Sequence, residues 1–217
     1  MGLSDYLGRF WYSSEPMFGV IMVLCFTSLL RTYPRVADEI LGHVLLAALM
    51  CCIAWGIVDG VFYAWEAHDE LHRKKELQEK IRASAGAAAV HAGMEDHFSD
   101  TLVADLGERD QEQVYRIVGE NLPAIALGQV SLREDAITIL ITFGLVVGSS
   151  LVVMLPFLLV RPVFTALAVS NLSAIFLLFL MGFWREEERG SGKKIANCIA
   201  AAVIGLIITV MTVLLGG

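Results

Sequence analysis

Apolar residues along this chain fall into five blocks, separated by short polar connections and one long one. The blocks cover residues 17–30, 40–65, 136–160, 162–184 and 195–215. A helix needs roughly 20 apolar residues to cross about 30 Å of hydrocarbon, so the last four blocks are long enough to span a membrane. The pattern predicts an all-α membrane protein with five transmembrane helices and a helical cytoplasmic insertion between the second and third spans.

The first block is too short to span alone, because residues 17–30 rise only about 21 Å as a helix. It spans only if the helix begins upstream, within the stretch FWYSSEP, which draws Glu15 and Pro16 toward the bilayer interior. A cleaved signal peptide is the rival interpretation, but the basic n-region and the small-residue cleavage site are missing. We therefore count five spans.

Composition and charge agree with membrane insertion. Hydrophobic residues make up 56% of the chain and charged residues 18%, against about 45–50% and about 25% in soluble domains. With five spans and the amino terminus inside, only Arg31, Arg35 and Arg161 of the 16 Lys and Arg residues fall outside. Cytoplasmic loops hold the excess of basic residues, so we predict a cytoplasmic amino terminus and an extracytoplasmic carboxyl terminus.

The long polar connection divides the chain into three predicted segments: 1–65 with two spans, 66–135 in the cytoplasm, and 136–217 with three spans. No proline or strong breaker precedes Gly86, so the second span is predicted to continue as one helix into the cytoplasm. Two short helices are predicted over 94–107 and 108–122. Ser131 is predicted to cap the third span, with Glu134 three residues on.

One helix face at the end of the second span carries a stripe of carboxylate and hydroxyl side chains. At about 100° per residue, Asp59, Tyr63, Glu66 and Glu70 lie within about 60° of one another. The stripe begins about two turns inside Trp65, which marks the interface. An acid inside the membrane faces a partner, a cavity or a pathway; the alternative is that Asp59 is shallow enough to reach headgroup water.

The densest group of candidate metal ligands is the stretch HAGMEDHFSD. Its acids and histidines are His91, Glu95, Asp96, His97 and Asp100. Carboxylates together with imidazoles suit Fe(II), Mn(II) or Zn(II), whereas Ca(II) or Mg(II) favours oxygen alone. His68 and His72, spaced four apart, are a second candidate pair. A solvated acidic face and solvated histidines are the alternatives.

Other features of the sequence are less specific. All four cysteines lie in apolar blocks, so no disulfide framework is visible, and Cys51 and Cys52 are better explained as small buried hydrophobes than as soft metal ligands. Small residues in the later spans (Gly144, Gly148, Ser149 and Gly205) predict close helix packing, either within one chain or between two. No nucleophile with a neighbouring base, phosphate loop or cofactor motif is present, so we do not expect an enzyme.

Two stretches, WGIVDGVFYAWEAHDEL at 55–71 and SLREDAITILITFGLVVGSSLVVMLPFLL at 131–159, resemble the second and third spans of the vacuolar iron transporter family. The layout of five spans with an acidic helical insertion is similar to that family from about Glu15 onward. The resemblance implies transport of ferrous iron, often with manganese, in exchange for protons, and a homodimer.

The resemblance also implies roles for individual residues. Glu15 stands near the family's acid of the first span, and Asp59 near the Gly-Glu element of the second, which here reads Asp-Gly. Along the metal-collecting helix stand Glu66, Glu70, Glu76 and Glu79. Glu108, Glu112 and Glu120 belong to the later helices of the insertion. The opening of the first span departs from the family, since EPMFGV replaces an Asp-Gly pattern.

The function expected from these residues is export of Fe²⁺ or Mn²⁺ from the cytoplasm in exchange for protons, across a prokaryotic plasma membrane. The expected pathway comprises Glu15, Asp59, Tyr63, Glu66 and Asn171, and Met17 or Met50 are candidate softer ligands. We expect the lipid bilayer and a second copy as partners, no nucleic acid, no resident cofactor, and Fe²⁺, Mn²⁺ or Zn²⁺ as substrate. The alternative is a non-transporting membrane protein that senses metal or docks a cytoplasmic partner.

Overall fold

The computed structural model describes residues 4–83, 91, 94–95, 97–99, 101–129, 131–184 and 191–215. Within these residues the regular structure is helical. The helices are α1 (Ser4–Thr32), α2 (Ala37–Ala83), α3 (Glu108–Asn121), α4 (Leu132–Leu159), α5 (Val163–Trp184) and α6 (Ser191–Leu215). A short 3-10 turn, Leu122–Ala124, follows α3.

Four helices are long and apolar enough to cross a bilayer, as an integral membrane protein requires. The candidate spans are Ser14–Thr32, Ala37–Ala83, Leu132–Leu159 and Val163–Phe183. Many of their exposed side chains are large and apolar, which suits contact with lipid, and these include Leu158, Leu172 and Phe176. In α6 the apolar stretch among the described residues is Cys198–Ile207, which is shorter than a span.

The first helix begins well before the first apolar block. It starts at Ser4 and includes Pro16 in its interior, so the predicted extension through FWYSSEP is confirmed. A proline inside a helix removes one backbone hydrogen bond, and the helix nevertheless continues to Thr32. This extension places Glu15 inside the candidate span rather than ahead of it.

The second helix is continuous over 47 residues, from Ala37 to Ala83. At about 1.5 Å per residue this is about 70 Å of helix, more than twice what a bilayer needs. The predicted continuation of the second span as one helix is confirmed. Asp38 and Glu39 in its first turn and Lys80 and Arg82 in its last turn complement the helix dipole.

The chain forms two compact units. The first comprises Met1–Ala64 and Leu132–Gly217, and the second comprises Trp65–Ser131. In the first unit, buried residues of α1, α2, α4 and α5 form one hydrophobic cluster around Val20, Cys52, Val146 and Leu178. A second cluster includes Leu30, Val44, Phe157 and Leu167.

Glycines set the closest approaches in the first unit. A Cβ atom on Gly19 of α1 would lie 2.2 Å from the Val146 carbonyl oxygen of α4. A Cβ atom on Gly60 of α2 would lie 2.6 Å from the Cα atom of Ile139, also in α4. Only glycine permits such backbone contact, so α1 and α2 are both held directly against α4.

The glycines that the sequence favoured for close packing behave differently from one another. Gly205 of α6 contacts α5, since its Cβ atom would lie 2.6 Å from Leu178 Cδ1. For Gly144 and Gly148 no described atom of this chain lies within 4 Å of either added Cβ, so close packing at these two positions stays a prediction for contact between chains. Both glycines lie on the exposed face of α4.

The second unit has its own small hydrophobic cluster. Leu77 and Ile81 from the end of α2 pack with Met94 and Tyr115, and Gln78 donates its amide hydrogens to the carbonyls of Leu122 (2.7 Å) and Ile125 (2.8 Å).

One predicted helix of the second unit does not form in full. The helix predicted over 94–107 is wrong beyond Phe98, because residues 101–106 form successive turns instead. The Thr101 hydroxyl donates to the Phe98 carbonyl at 2.9 Å, and such local side-chain bonding competes with a helix.

Candidate functional site

The most deeply buried acid among the described residues is Glu15 of α1, whose exposure is 0%. Its Oε1 atom accepts a hydrogen bond from the Tyr63 hydroxyl of α2. Its Oε2 atom is buried and has no hydrogen-bond partner among the described residues. Buried polar atoms in proteins are nearly always paired, so an orphaned carboxylate oxygen marks a functional-site candidate.

A second acid lies close to this pair. Asp59 is half-buried, one helical turn before Tyr63 on α2, and its carboxylate interacts electrostatically with that of Glu15. Tyr63 is thus the hydrogen-bond partner of Glu15, and Asp59 is a second carboxylate that interacts with it through charge. Two carboxylates that interact in this way favour a cation or a proton near them.

Sulfur atoms line the contact between α1 and α2 at positions after Glu15 on α1 and before Tyr63 on α2. Cys51 Sγ lies 3.7 Å from Met22 Sδ, and Cys52 Sγ lies 4.0 Å from the Gly19 carbonyl oxygen. All four cysteines are free thiols. Cys52 is fully buried in the first hydrophobic cluster, as expected of a small hydrophobic side chain.

Three other predicted pathway ligands are not joined to the Glu15–Tyr63 pair. Asn171 of α5 is buried, but within the described part of the chain no hydrogen bond links it to Glu15 or Tyr63. Met17 packs against the first hydrophobic cluster. Met50 is 51% exposed. Their roles as ligands stay predictions.

The predicted collecting acids on the later part of α2 are exposed, and two of them are paired with lysines. Glu70 accepts a bond from Lys74 at 2.5 Å, and Glu76 accepts one from Lys80 at 2.9 Å. The hydrogen bond and charge of Lys74 lower the pKa of Glu70, which lies beyond the apolar part of the helix. Glu66 and Glu79 are exposed on the same stretch.

The predicted histidine and acid cluster is only partly described. His91 contacts the Tyr115 ring edge-on at 5.0 Å, and His97 contacts Phe98 at 5.2 Å. Glu95 is exposed, and Asp96 and Asp100 lie outside the described residues. Where side chains are described, no three His, Cys, Asp or Glu groups converge to hold a metal ion.

A surface groove on the second unit brings together three of the predicted metal ligands. His91, Glu112 and Glu120 line it with two arginines, Arg109 and Arg116. The acids and the arginines lie on one face of α3 and offset one another's charge. Glu108 is exposed in the first turn of the same helix.

No protein-family model matches this sequence, and no curated protein matches it. The resemblance to the vacuolar iron transporter family therefore stays a prediction made from the residues.

The contact between Glu15 and Tyr63 could not be read from the sequence, although both residues were candidates. They lie 48 positions apart, and helical periodicity relates only residues on one helix. Gly19 and Gly60 were also missed. A usable signal existed, because each glycine is one turn from a site residue, Gly19 after Glu15 and Gly60 before Tyr63.

Proposed function

We propose that this chain is a membrane transporter that moves a divalent metal ion, Fe²⁺ or Mn²⁺, out of the cytoplasm in exchange for protons. The observation that carries the proposal is the buried Glu15 carboxyl group, whose Oε2 atom has no partner among the described residues. A buried carboxylate within a membrane-spanning helix is costly to keep. A residue retained at that cost is expected to bind something.

Exchange follows from the chemistry of a single carboxylate oxygen. Oε2 of Glu15 can hold a proton or contact a metal ion, but it cannot do both at once. Loading of the metal from one side therefore releases the proton, and reprotonation releases the metal. Asp59, which interacts electrostatically with Glu15, supplies the second negative charge that a divalent cation requires.

The proposed arrangement in the membrane has five spans, with α6 as the fifth, and a cytoplasmic amino terminus. The excess of Lys and Arg on one side supports this orientation. Residues 66–135 are then cytoplasmic, and Glu66 and Glu70 continue the face of α2 that carries Asp59 and Tyr63. These acids would raise the local concentration of cations before entry.

A homodimer is part of the same proposal. Gly144 and Gly148 lie one turn apart on the exposed side of α4, with no described atom within 4 Å of a Cβ added at either. Two small residues at this spacing let a second helix approach closely in a bilayer. The resemblance to a dimeric family supports the same assembly.

A second candidate function is a non-transporting membrane protein that docks a cytoplasmic partner or senses metal. The lysine partners of Glu70 and Glu76 favour it, because a paired carboxylate is less available to collect metal. The second unit also has a hydrophobic cluster of its own.

Metal uptake into proteoliposomes under a proton gradient tests the proposal. We would measure Fe(II), Mn(II), Zn(II) and Ca(II) uptake together with proton movement, in the wild type and in Glu15→Gln and Asp59→Asn. Glu39→Gln, which changes an exposed acid in the first turn of α2, is the matched control. We expect both site variants to abolish metal-dependent proton flux and the control to retain it.

Two outcomes contradict the proposal. Unchanged flux in Glu15→Gln and Asp59→Asn would show that these acids are not on the pathway. Metal binding by the full-length protein without any flux would favour the non-transporting alternative.

A further inference from the structure

The two oxygen atoms of the Glu15 carboxyl group have different surroundings. Oε1 accepts the hydrogen bond from Tyr63, whereas Oε2 is buried and accepts none from any described residue. A buried acceptor left unpaired is unfavourable, and more so when it is charged. One oxygen of the carboxyl group is therefore engaged in a hydrogen bond, and the other is available to a ligand.

The helices that carry these two residues are fixed by the same neighbour. Gly19, one turn after Glu15, meets the Val146 carbonyl of α4, and Gly60, one turn before Tyr63, meets the Cα atom of Ile139 in α4. Gly56, one turn before Gly60 on α2, also meets α4, since its added Cβ would lie 2.9 Å from the Cα atom of Phe143. Direct backbone contact leaves little room for either helix to shift, so the tyrosine hydroxyl is held at Oε1.

We infer that Tyr63 is a positioning residue, which holds Oε1 of Glu15 so that Oε2 alone takes the transported proton or cation. The identity of what Oε2 takes rests on the proposed function, but the pairing and its effect on Glu15 do not. In the described part of the chain, the titratable groups that face Glu15 are Tyr63 and Asp59, both on α2. Asp59 is unchanged in every variant below. A difference between the wild type and Tyr63→Phe therefore comes from the tyrosine hydroxyl.

Reaction with a hydrophobic carbodiimide measures the state of Glu15 without requiring transport. Such reagents modify protonated carboxyl groups in apolar surroundings, and Glu15→Gln identifies the signal from this residue. Tyr63→Phe keeps the ring but removes the hydroxyl that stabilises the carboxylate. A hydrogen bond to a charged group is worth about 1.5–3 kcal/mol, so we expect the pH profile of Glu15 labelling to move to higher pH, with labelling about 10-fold faster or more on its alkaline side.

Two further variants separate positioning from a general structural effect. Tyr33→Phe removes the hydroxyl of an exposed tyrosine and should leave labelling unchanged. A fluorinated tyrosine at position 63 is a stronger hydrogen-bond donor with nearly the same shape, so it should slow labelling. A merely structural role for Tyr63 would not give opposite changes from these two substitutions at one position.

The outcomes for the inference and for the proposed function are distinguishable. Equal labelling in the wild type, Tyr63→Phe and the fluorinated protein overturns the inference, whatever the transport assay gives. Faster labelling in Tyr63→Phe, with no metal uptake by the wild type, supports the inference and contradicts the proposed function. Where uptake occurs, Tyr63→Phe should raise KM for the metal several-fold with a smaller change in maximal rate.

Discussion

The hydroxyl of Tyr63 donates a hydrogen bond to Oε1 of Glu15 and so joins α2 to α1 across 48 positions of sequence. The bond depends on a third helix, because α1 and α2 each contact the backbone of α4 through a glycine. The candidate site is therefore a product of helix packing as much as of its own residues. This dependence leads to the first prediction.

Gly60→Ala should destabilise the protein, because its methyl group would lie 2.6 Å from the Cα atom of Ile139. Overpacking of this kind costs about 1–3 kcal/mol. Thermal unfolding in detergent measures the effect as a lower Tm. The matched control is Gly42→Ala on the same helix, where no described atom lies within 4 Å of the added Cβ. Equal Tm values for the two variants would contradict the close contact.

Glu15→Gln should keep or raise the thermal stability of the protein while it abolishes transport. The amide retains an oxygen that accepts from Tyr63, and it removes a buried ionisable group that is costly to keep in a membrane. We expect the Tm to be unchanged or a few degrees higher. Glu39→Gln, an exposed acid in α2, should change neither property. A large loss of stability in Glu15→Gln would indicate a structural role for this carboxyl group.

Gln78→Ala should loosen the segment that follows α3. The Gln78 amide bonds the carbonyls of Leu122 and Ile125, and a hydrogen bond of this kind contributes about 0.5–1.5 kcal/mol. Hydrogen exchange measured by mass spectrometry should show faster exchange over residues 118–126. Gln113→Ala, which changes an exposed glutamine of α3, is the control and should leave that segment protected.

Lys74→Gln should raise the pKa of Glu70 toward its ordinary value of 4.5, because Lys74 is the main cause of the lowered pKa. A lowered folded-state pKa adds stability above the unfolded pKa, and this stability is lost as the pH falls through the folded value. For an exposed pair the contribution is only about 0.3–0.5 kcal/mol. The carboxyl chemical shift of labelled Glu70 reports the change, with Lys75→Gln as control. An unchanged titration would mean that the Lys74 contact does not persist in solution.

Gly144→Leu should reduce dimer formation if the exposed face of α4 is the dimer contact. A leucine side chain would separate two helices that approach through small residues. Mass photometry in nanodiscs would measure the fraction of dimer. Gly42→Leu, at another glycine with open space above it, should leave that fraction unchanged, and equal dimer fractions in both variants would exclude this face.

The helices follow closely from the sequence because a bilayer allows few alternatives. Without water in the hydrocarbon region each spanning segment must satisfy its own backbone, which only a helix does within one segment. The apolar blocks therefore predicted α2, α4 and α5, and Glu15 and Pro16 were expected inside the first helix. The helix predicted over 94–107 was wrong beyond Phe98, because the Thr101 hydroxyl competes for local backbone bonds there.

The sequence by itself determined that this chain is apolar, helical and marked by an acid inside its first span, since those properties depend on residue type and local spacing. Only the tertiary structure decided that Glu15 meets Tyr63 and that Oε2 remains unpaired. It also decided that Gly19 and Gly60, rather than Gly144 and Gly148, make close contacts within the chain. Periodicity fixes the face of one helix, but the pairing of faces between helices depends on how all the helices pack together.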